Sequence, residues 1–153
     1  MKIIFGYPPN IEAIRAKFDI RGRAGVVFCY GNTLFNPSGQ MLPPEIIAHE
    51  EVHAAQQAKW AGGPAKWWED YIANKTFRFH QEFPAHVKEL QIHVALNSGR
   101  QAKRKYIRFV AKRLSGPLYG HMIAAEDAKR RLLAELSGTA DPFYGFPPIE
   151  EIT

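Results

Sequence analysis

The chain of 153 residues reads as a single α+β domain with strand signals in residues 1–40 and helix signals in residues 41–136. A third observation, the segment His49-Glu50-Glu51-Val52-His53 at the head of the helical part, gives the layout a chemical purpose. Strands first and helices afterwards describe a small sheet buried on one face under helices. With 46% apolar and 12% aromatic residues, the length suffices for one packed core, whereas two separate cores would each be marginal.

Strand material lies at Lys2-Ile3-Ile4-Phe5, Lys17-Phe18-Asp19-Ile20, Val26 to Tyr30 and Thr33 to Phe35. The Gly31-Asn32 pair between the last two is a two-residue hairpin connection, so the predicted sheet is small and mainly antiparallel, with a short helix near Ile11 to Lys17. After Gln40 the periodicity changes. Pro43-Pro44 offers a helix start, and the apolar stripe Ile46, Ile47, Val52, Ala54, Ala55 and Ala58 predicts a helix over 44–60, buried on one side. Gly62-Gly63-Pro64 ends it. A Trp-rich helix over 65–74 follows, then helices near 81–97, 101–114 and 122–136, separated at Ser98-Gly99 and Ser115-Gly116-Pro117. The tail, 137–153, sets three aromatics between three prolines over Asp141 to Pro148 and is expected to pack in extended form or to dock on a partner.

Composition excludes several classes. The opening apolar run is cut short by Pro8-Pro9, and no stretch approaches the roughly 18 uncharged apolar residues of a membrane span, so neither export nor a membrane partner is expected. The single cysteine, Cys29, sits in an apolar strand and reads as a buried thiol; with no intrachain disulfide, a reducing compartment is expected. Residues 100–131 hold ten basic side chains against Glu126 and Asp127. A solvated helix face accounts for that block, and nucleic acid is not an expected partner.

The chemistry lies in the histidine pair. At about 3.6 residues per turn, His49 and His53 fall on one helical face, where both imidazoles reach one cation. Glu50 flanks that face without binding the metal and is placed to take a proton from a water in an open coordination position, which is the logic of H-E-x-x-H around Zn²⁺. A third ligand must come from elsewhere. The extended form of the motif would need Gly at 56 and His at 59, where the chain has Gln56 and Lys59. Downstream, Glu82, His86, Glu89 and His93 recur at helical spacing in one polar stripe, with Glu82 or His86 as the natural donor. Trp60, Trp67 and Trp68 read as packing around the motif helix, with a substrate groove as the alternative. His121 reads as a loop histidine, the alternative being an oxyanion donor.

The chain resembles the small zinc metallopeptidases encoded by phages and prophages, relatives of the glutamate-zincins. The resemblance rests on His49-Glu50-Glu51-Val52-His53 with Gln56, on Trp67-Trp68 and Tyr71, and on Phe77-Arg78-Phe79-His80-Gln81-Glu82-Phe83-Pro84-Ala85-His86, with Leu114-Ser115-Gly116-Pro117-Leu118-Tyr119-Gly120 as a further shared segment. It covers about residues 25–135. It implies a zincin-like plan, Glu82 as the third zinc ligand beside His49 and His53, and Glu50 as general base in hydrolysis of a peptide-type amide. It also implies a sheet edge, for which the Val26 to Phe35 hairpin is the candidate, that holds a peptide or protein substrate by strand addition. The implied setting is the host cytoplasm or the virion, with phage or virion proteins as further partners. Two positions depart from the pattern. His86 stands where the group has tyrosine, and Pro84 requires the helix to begin near 80–83. The competing reading is a non-catalytic structural or interaction protein whose zinc staples two helices with four protein ligands while the basic block meets a virion partner or nucleic acid.

If the basic block is a solvated face, duplex DNA binds no tighter than about 10⁻⁶ M and is released by moderate salt; a filter-binding or anisotropy titration showing salt-resistant nanomolar binding would contradict this.

Overall fold

The computed structural model describes residues 1–138, so the tail segment expected to pack or dock lies, beyond its first two residues, outside the described residues. Three short strands, β1 (Lys2–Ile4), β2 (Phe28–Tyr30) and β3 (Thr33–Phe35), form one sheet in the order β1-β3-β2. The hairpin forms as its turn predicts: Tyr30 faces Thr33 across Gly31-Asn32, and Gly31 takes the positive φ of 60° that the turn requires. The sheet is mixed, however, and not mainly antiparallel. β1 lies parallel to β3, Lys2 opposite Thr33 and Ile4 opposite Phe35, because the chain leaves β1 through a helix and returns to place the hairpin's second strand beside it.

That connecting helix, α1 (Ile11–Lys17), has the predicted bounds, but Lys17 to Ile20 is not a strand. Phe18 is extended only as the helix C-cap, where its N–H bonds to the Ile14 carbonyl and its ring enters the core. The motif helix α2 (Pro44–Lys59) opens with Pro44 in its first turn. Its apolar stripe is not its buried face. Ile46, Ile47 and Val52 are half-buried and Ala55 and Ala58 exposed, while His49, Glu50, His53 and Gln57 are buried together with Ala48. A polar face can be buried in this way only against matching polar groups.

The matching groups come from α4 (Lys75–Leu96), which follows α3 (Gly63–Ala73) with only Asn74 between them. Asn74 ends one helix and caps the next, its side-chain oxygen accepting the Phe77 N–H at 2.8 Å. Helix α4 therefore starts well before the expected residue 80, and Pro84 sits inside it. The missing N–H is tolerated because Phe77, Phe79 and Phe83 from the surrounding turns are all buried. Helices α5 (Arg100–Ser115) and α6 (Ala125–Ser137) complete the layer, joined by a 3₁₀ turn at Pro117–Tyr119. Among the described residues, no helix is long and apolar enough to cross a membrane.

Two apolar clusters flank the α2–α4 contact. One joins Phe79, Phe83 and Leu90 of α4 to Ile107, Val110 and Leu114 of α5 and to Leu132 of α6. The other joins Ile14, Phe18 and Phe28 to Trp67, Trp68 and Phe77. On α5 the side chains of Arg104, Lys105, Arg108 and Lys112 are exposed opposite the buried Ile107, Val110 and Leu114, so these members of the basic block are a solvated face.

Arg78, 2% exposed, ties these parts together. Its guanidinium donates to the carbonyls of Tyr71 (3.0 Å), Ile72 (3.0 Å) and Tyr119 (2.8 Å) and lies over the rings of Phe18 and Tyr71. Gly120 beside it is favoured by its left-handed φ of 78°, a Cβ there meeting the Arg78 Nη1 at an ordinary contact distance of 3.4 Å. Arg78→Met should leave three carbonyls without that donor and cost about 3 kcal/mol or more, read as a lower thermal midpoint with unchanged secondary structure.

Candidate metal centre

His49 and His53 stand one turn apart on α2 with their Nε2 atoms 3.1 Å apart. Glu82 of α4 approaches both, with Oε2 3.4 Å from the Nε2 of His49 and Oε1 3.4 Å from that of His53. In tetrahedral zinc sites with bonds of about 2.0–2.1 Å, neighbouring donor atoms are separated by roughly 3.3–3.4 Å. The spacing of the three side chains fits such an ion, and all three are buried.

The outer nitrogens decide what the inner ones present. The Nδ1–H of His49 donates to Glu89 Oε2 at 2.9 Å, and that of His53 donates to Gln56 Oε1 at 2.8 Å. Gln56 is oriented by its own donation to the Gln81 carbonyl at 3.0 Å, which turns its oxygen toward the imidazole. Both Nε2 atoms therefore offer lone pairs, facing each other and a carboxylate. Such a meeting of acceptors favours a cation at its centre. In its absence a proton serves: burial alone would lower the His49 pKa, but hydrogen bonds to Glu82 and Glu89 outweigh it and push the value up to about 10. Glu82, although burial opposes its charge, is held well below the usual carboxylate range by His53 and His49.

Glu89 anchors the arrangement. Its Oε2 accepts from His49 and also from His86 Nδ1–H at 2.8 Å, while its Oε1 accepts from the Tyr106 hydroxyl at 2.8 Å and Arg113 Nη1 at 2.9 Å. Burial works against its charge, but His86, His49 and Arg113 hold its pKa far below the normal range. His49, His86 and Glu89 also form a group able to hold a metal ion. Their short N–H to carboxylate contacts are those of a hydrogen-bonded set, and we read them as the support behind the first group.

His86 thus stands behind Glu82 and outside the converging trio. Its Nε2 has no hydrogen-bond partner among the described residues and lies 3.5 Å from Glu82 Oε2. Burial, then the nearby charge of His49, depresses its pKa to about 4, so the ring is neutral. His93 is bound instead to Glu45 at 2.9 Å and stacked on Tyr106, away from the trio. His121 is exposed and donates to the Ser115 carbonyl.

Glu50 is buried beside the trio, its Oε1 4.0 Å from His49 Nε2, too far to share the ion. Burial raises its pKa, with His49 and His53 pulling the other way. It opens onto a cavity of about 80 Å³ walled by Phe28, Trp67, Trp68, Leu118 and Tyr119, with His53 and Glu82 alongside. Trp67 and Trp68 are core residues that also wall the cavity; Trp60 instead donates to Asp70 at 2.9 Å. The proposed substrate edge is already occupied at one point. The Cys29 carbonyl on β2 accepts from Gln57 Nε2 and Trp68 Nε1, both at 3.0 Å, so an added strand finds no free acceptor there.

Several contributors were not legible in the sequence. Glu89 was visible only as one member of a polar stripe, and Tyr106 and Arg113 were hidden in the basic block. Tyr71, whose hydroxyl donates to Glu82 Oε1, and Tyr119 in the cavity wall were quoted in motif context without a role. No known protein family, curated protein or solved structure matches the chain.

Two outcomes follow from the geometry. His49→Ala combined with His53→Ala should abolish stoichiometric metal binding, as read by elemental analysis. At pH 8, below the value of about 10 for the His49 that carries the substituting proton, zinc uptake should release about one proton, and affinity should rise with pH until that group is deprotonated. Calorimetry in buffers of differing ionisation enthalpy measures this; proton-free binding at pH 8 would contradict it.

Proposed function

We propose that the chain is a zinc-dependent metallopeptidase of zincin-like plan, hydrolysing a peptide-type amide with Glu50 as general base. One observation carries the reading: three buried donors converge for an ion, and a fourth acidic group stands beside them, too distant to bind and open to a cavity. Two imidazoles and one carboxylate are a donor set suited to zinc. When bound, zinc would polarise the substrate carbonyl and lower the pKa of a coordinated water toward about 7.

The chain's own residues account for the rest. Glu50, its pKa raised by burial, is matched to taking a proton from the attacking water and returning it to the leaving amine. Tyr71 holds the orientation of Glu82, and Glu89 and Gln56 hold those of His49 and His53. Apolar cavity walls keep bulk water from the reacting centre. A phage or virion setting rests on the sequence resemblance alone.

A structural site is the second reading, and one observation favours it: the unpartnered Nε2 of His86 beside Glu82. X-ray absorption on the zinc-loaded protein separates the two. Three protein ligands with one light oxygen donor support the peptidase, whereas three imidazoles support a closed site.

Glu50→Gln should leave zinc content and thermal stability near those of the parent while lowering hydrolysis of any peptide found by library screening by about 10² to 10⁴. Activity that survives this change would remove Glu50 from the mechanism. Glu82→Gln should weaken zinc binding by at least about tenfold in a competition titration with a chelating dye. If Glu82→Gln binds normally while His86→Ala does not, the third ligand is His86.

A further inference from the structure

A second hollow adjoins the first. It has a volume of about 510 Å³ and shares Ile20, Val26 and Phe28 with the cavity beside Glu50, so these side chains form a common wall. Its chemistry is the reverse of its neighbour's. The metal-side cavity carries two carboxylates, Glu50 and Glu82, among apolar walls, whereas the second hollow is lined by Arg15, Arg21 and Arg23 and by no acidic side chain.

The three arginines are not spent on one another's surroundings. Arg15 pairs with the exposed Glu12 at 2.9 Å and lies over the Tyr7 ring, and Arg23 uses its Nε on the Asp19 carbonyl at 2.9 Å. Arg21 has no hydrogen-bond or ion-pair partner among the described residues. Guanidinium groups present planar forks of donors that match a carboxylate in pairs. Glu12 offsets Arg15, so among the described residues it is Arg21 and Arg23 that leave this concave surface with positive charge to spare for an anion.

We propose that this arginine-lined hollow is a substrate subsite that binds a carboxylate of the peptide, while an uncharged apolar side chain of the same peptide occupies the cavity beside Glu50. The proposal rests on the peptidase reading for the ligand being a peptide. The apolar walls of the first cavity disfavour burial of an acidic side chain there, and the arginines attract it to the second, so the two sites together set the register of the chain. Because the hollows share one wall, the acidic group falls within about two residues of the apolar one, at roughly 3.3–3.6 Å per extended residue.

Fluorescence anisotropy on the zinc-loaded Glu50→Gln protein tests this without requiring turnover. The probes are labelled hexapeptide pools with one leucine: one pool with an aspartate at varied spacing and an amidated C-terminus, one with asparagine in its place, and one with asparagine and a free C-terminal carboxylate. At low salt, at least one carboxylate pool should bind about tenfold tighter than the amidated asparagine pool, and the preference should shrink at high salt. Which pool gains identifies the carboxylate as side-chain or terminal. Arg21→Gln combined with Arg23→Gln, both on an exposed loop, should reduce the preference to below about twofold with zinc content unchanged. Equal binding of all pools, or a preference that survives the double change, overturns the subsite alone. Binding of no pool by protein shown to hold zinc overturns the subsite and the peptide reading together.

Discussion

A single carboxylate with no exposed surface, that of Glu89, holds three helices in register: His49 of α2, its own α4 with His86, and Tyr106 and Arg113 of α5. A buried charge is tolerated only when its lone pairs are filled, and here four donors fill them. Loss of any one donor would strand part of that charge in the core, so the helices are constrained by chemistry as firmly as by the leucines and phenylalanines around them. The fixed Nδ1 of His49 is what turns its Nε2 toward Glu82. The candidate metal centre is thus a consequence of how the helices are joined.

The same cluster buries more negative than positive charge. Glu50, Glu82 and Glu89 are all inside, against the buried Arg78 near Glu82 and Arg113 on Glu89. The deficit is met by a proton on His49 or by a cation among the three donors, and these compete for the same lone pair. An ion bound there would therefore couple its binding to fold stability, since it would complete the electrostatic balance of the core.

Helix periodicity and turn chemistry were legible where they act locally. Pro44 opens α2, Gly31-Asn32 turns the hairpin, and the spacing of His49 and His53 sets both on one helical face, whereas spacing alone left Glu82 and His86 as equal candidates to join them. What was not legible depends on tertiary pairing. The parallel placement of β1 is set by the crossover through α1, and the early start of α4 by an asparagine shared between two helices. The buried face of α2 could not be found by its apolar residues, because the residues buried there against α4 and the hairpin are His49, Glu50, His53 and Gln57. Arg113 looks like one more member of a basic surface until the fold brings it within 2.9 Å of Glu89.

Gln57 has a wider role than its single position suggests. Fully buried and one turn beyond His53, its side-chain amide donates to the Cys29 carbonyl and accepts the Gly31 N–H at 2.7 Å, as the peptide group of a neighbouring strand would. The hairpin is thereby supplied with a counterfeit strand one amide long. A three-stranded sheet normally offers each edge as a template for another copy of the chain, and this edge is withdrawn from that role as soon as the helix that carries His49 and His53 docks. Self-association through β2 is consequently confined to chains in which that helix has not yet found its place.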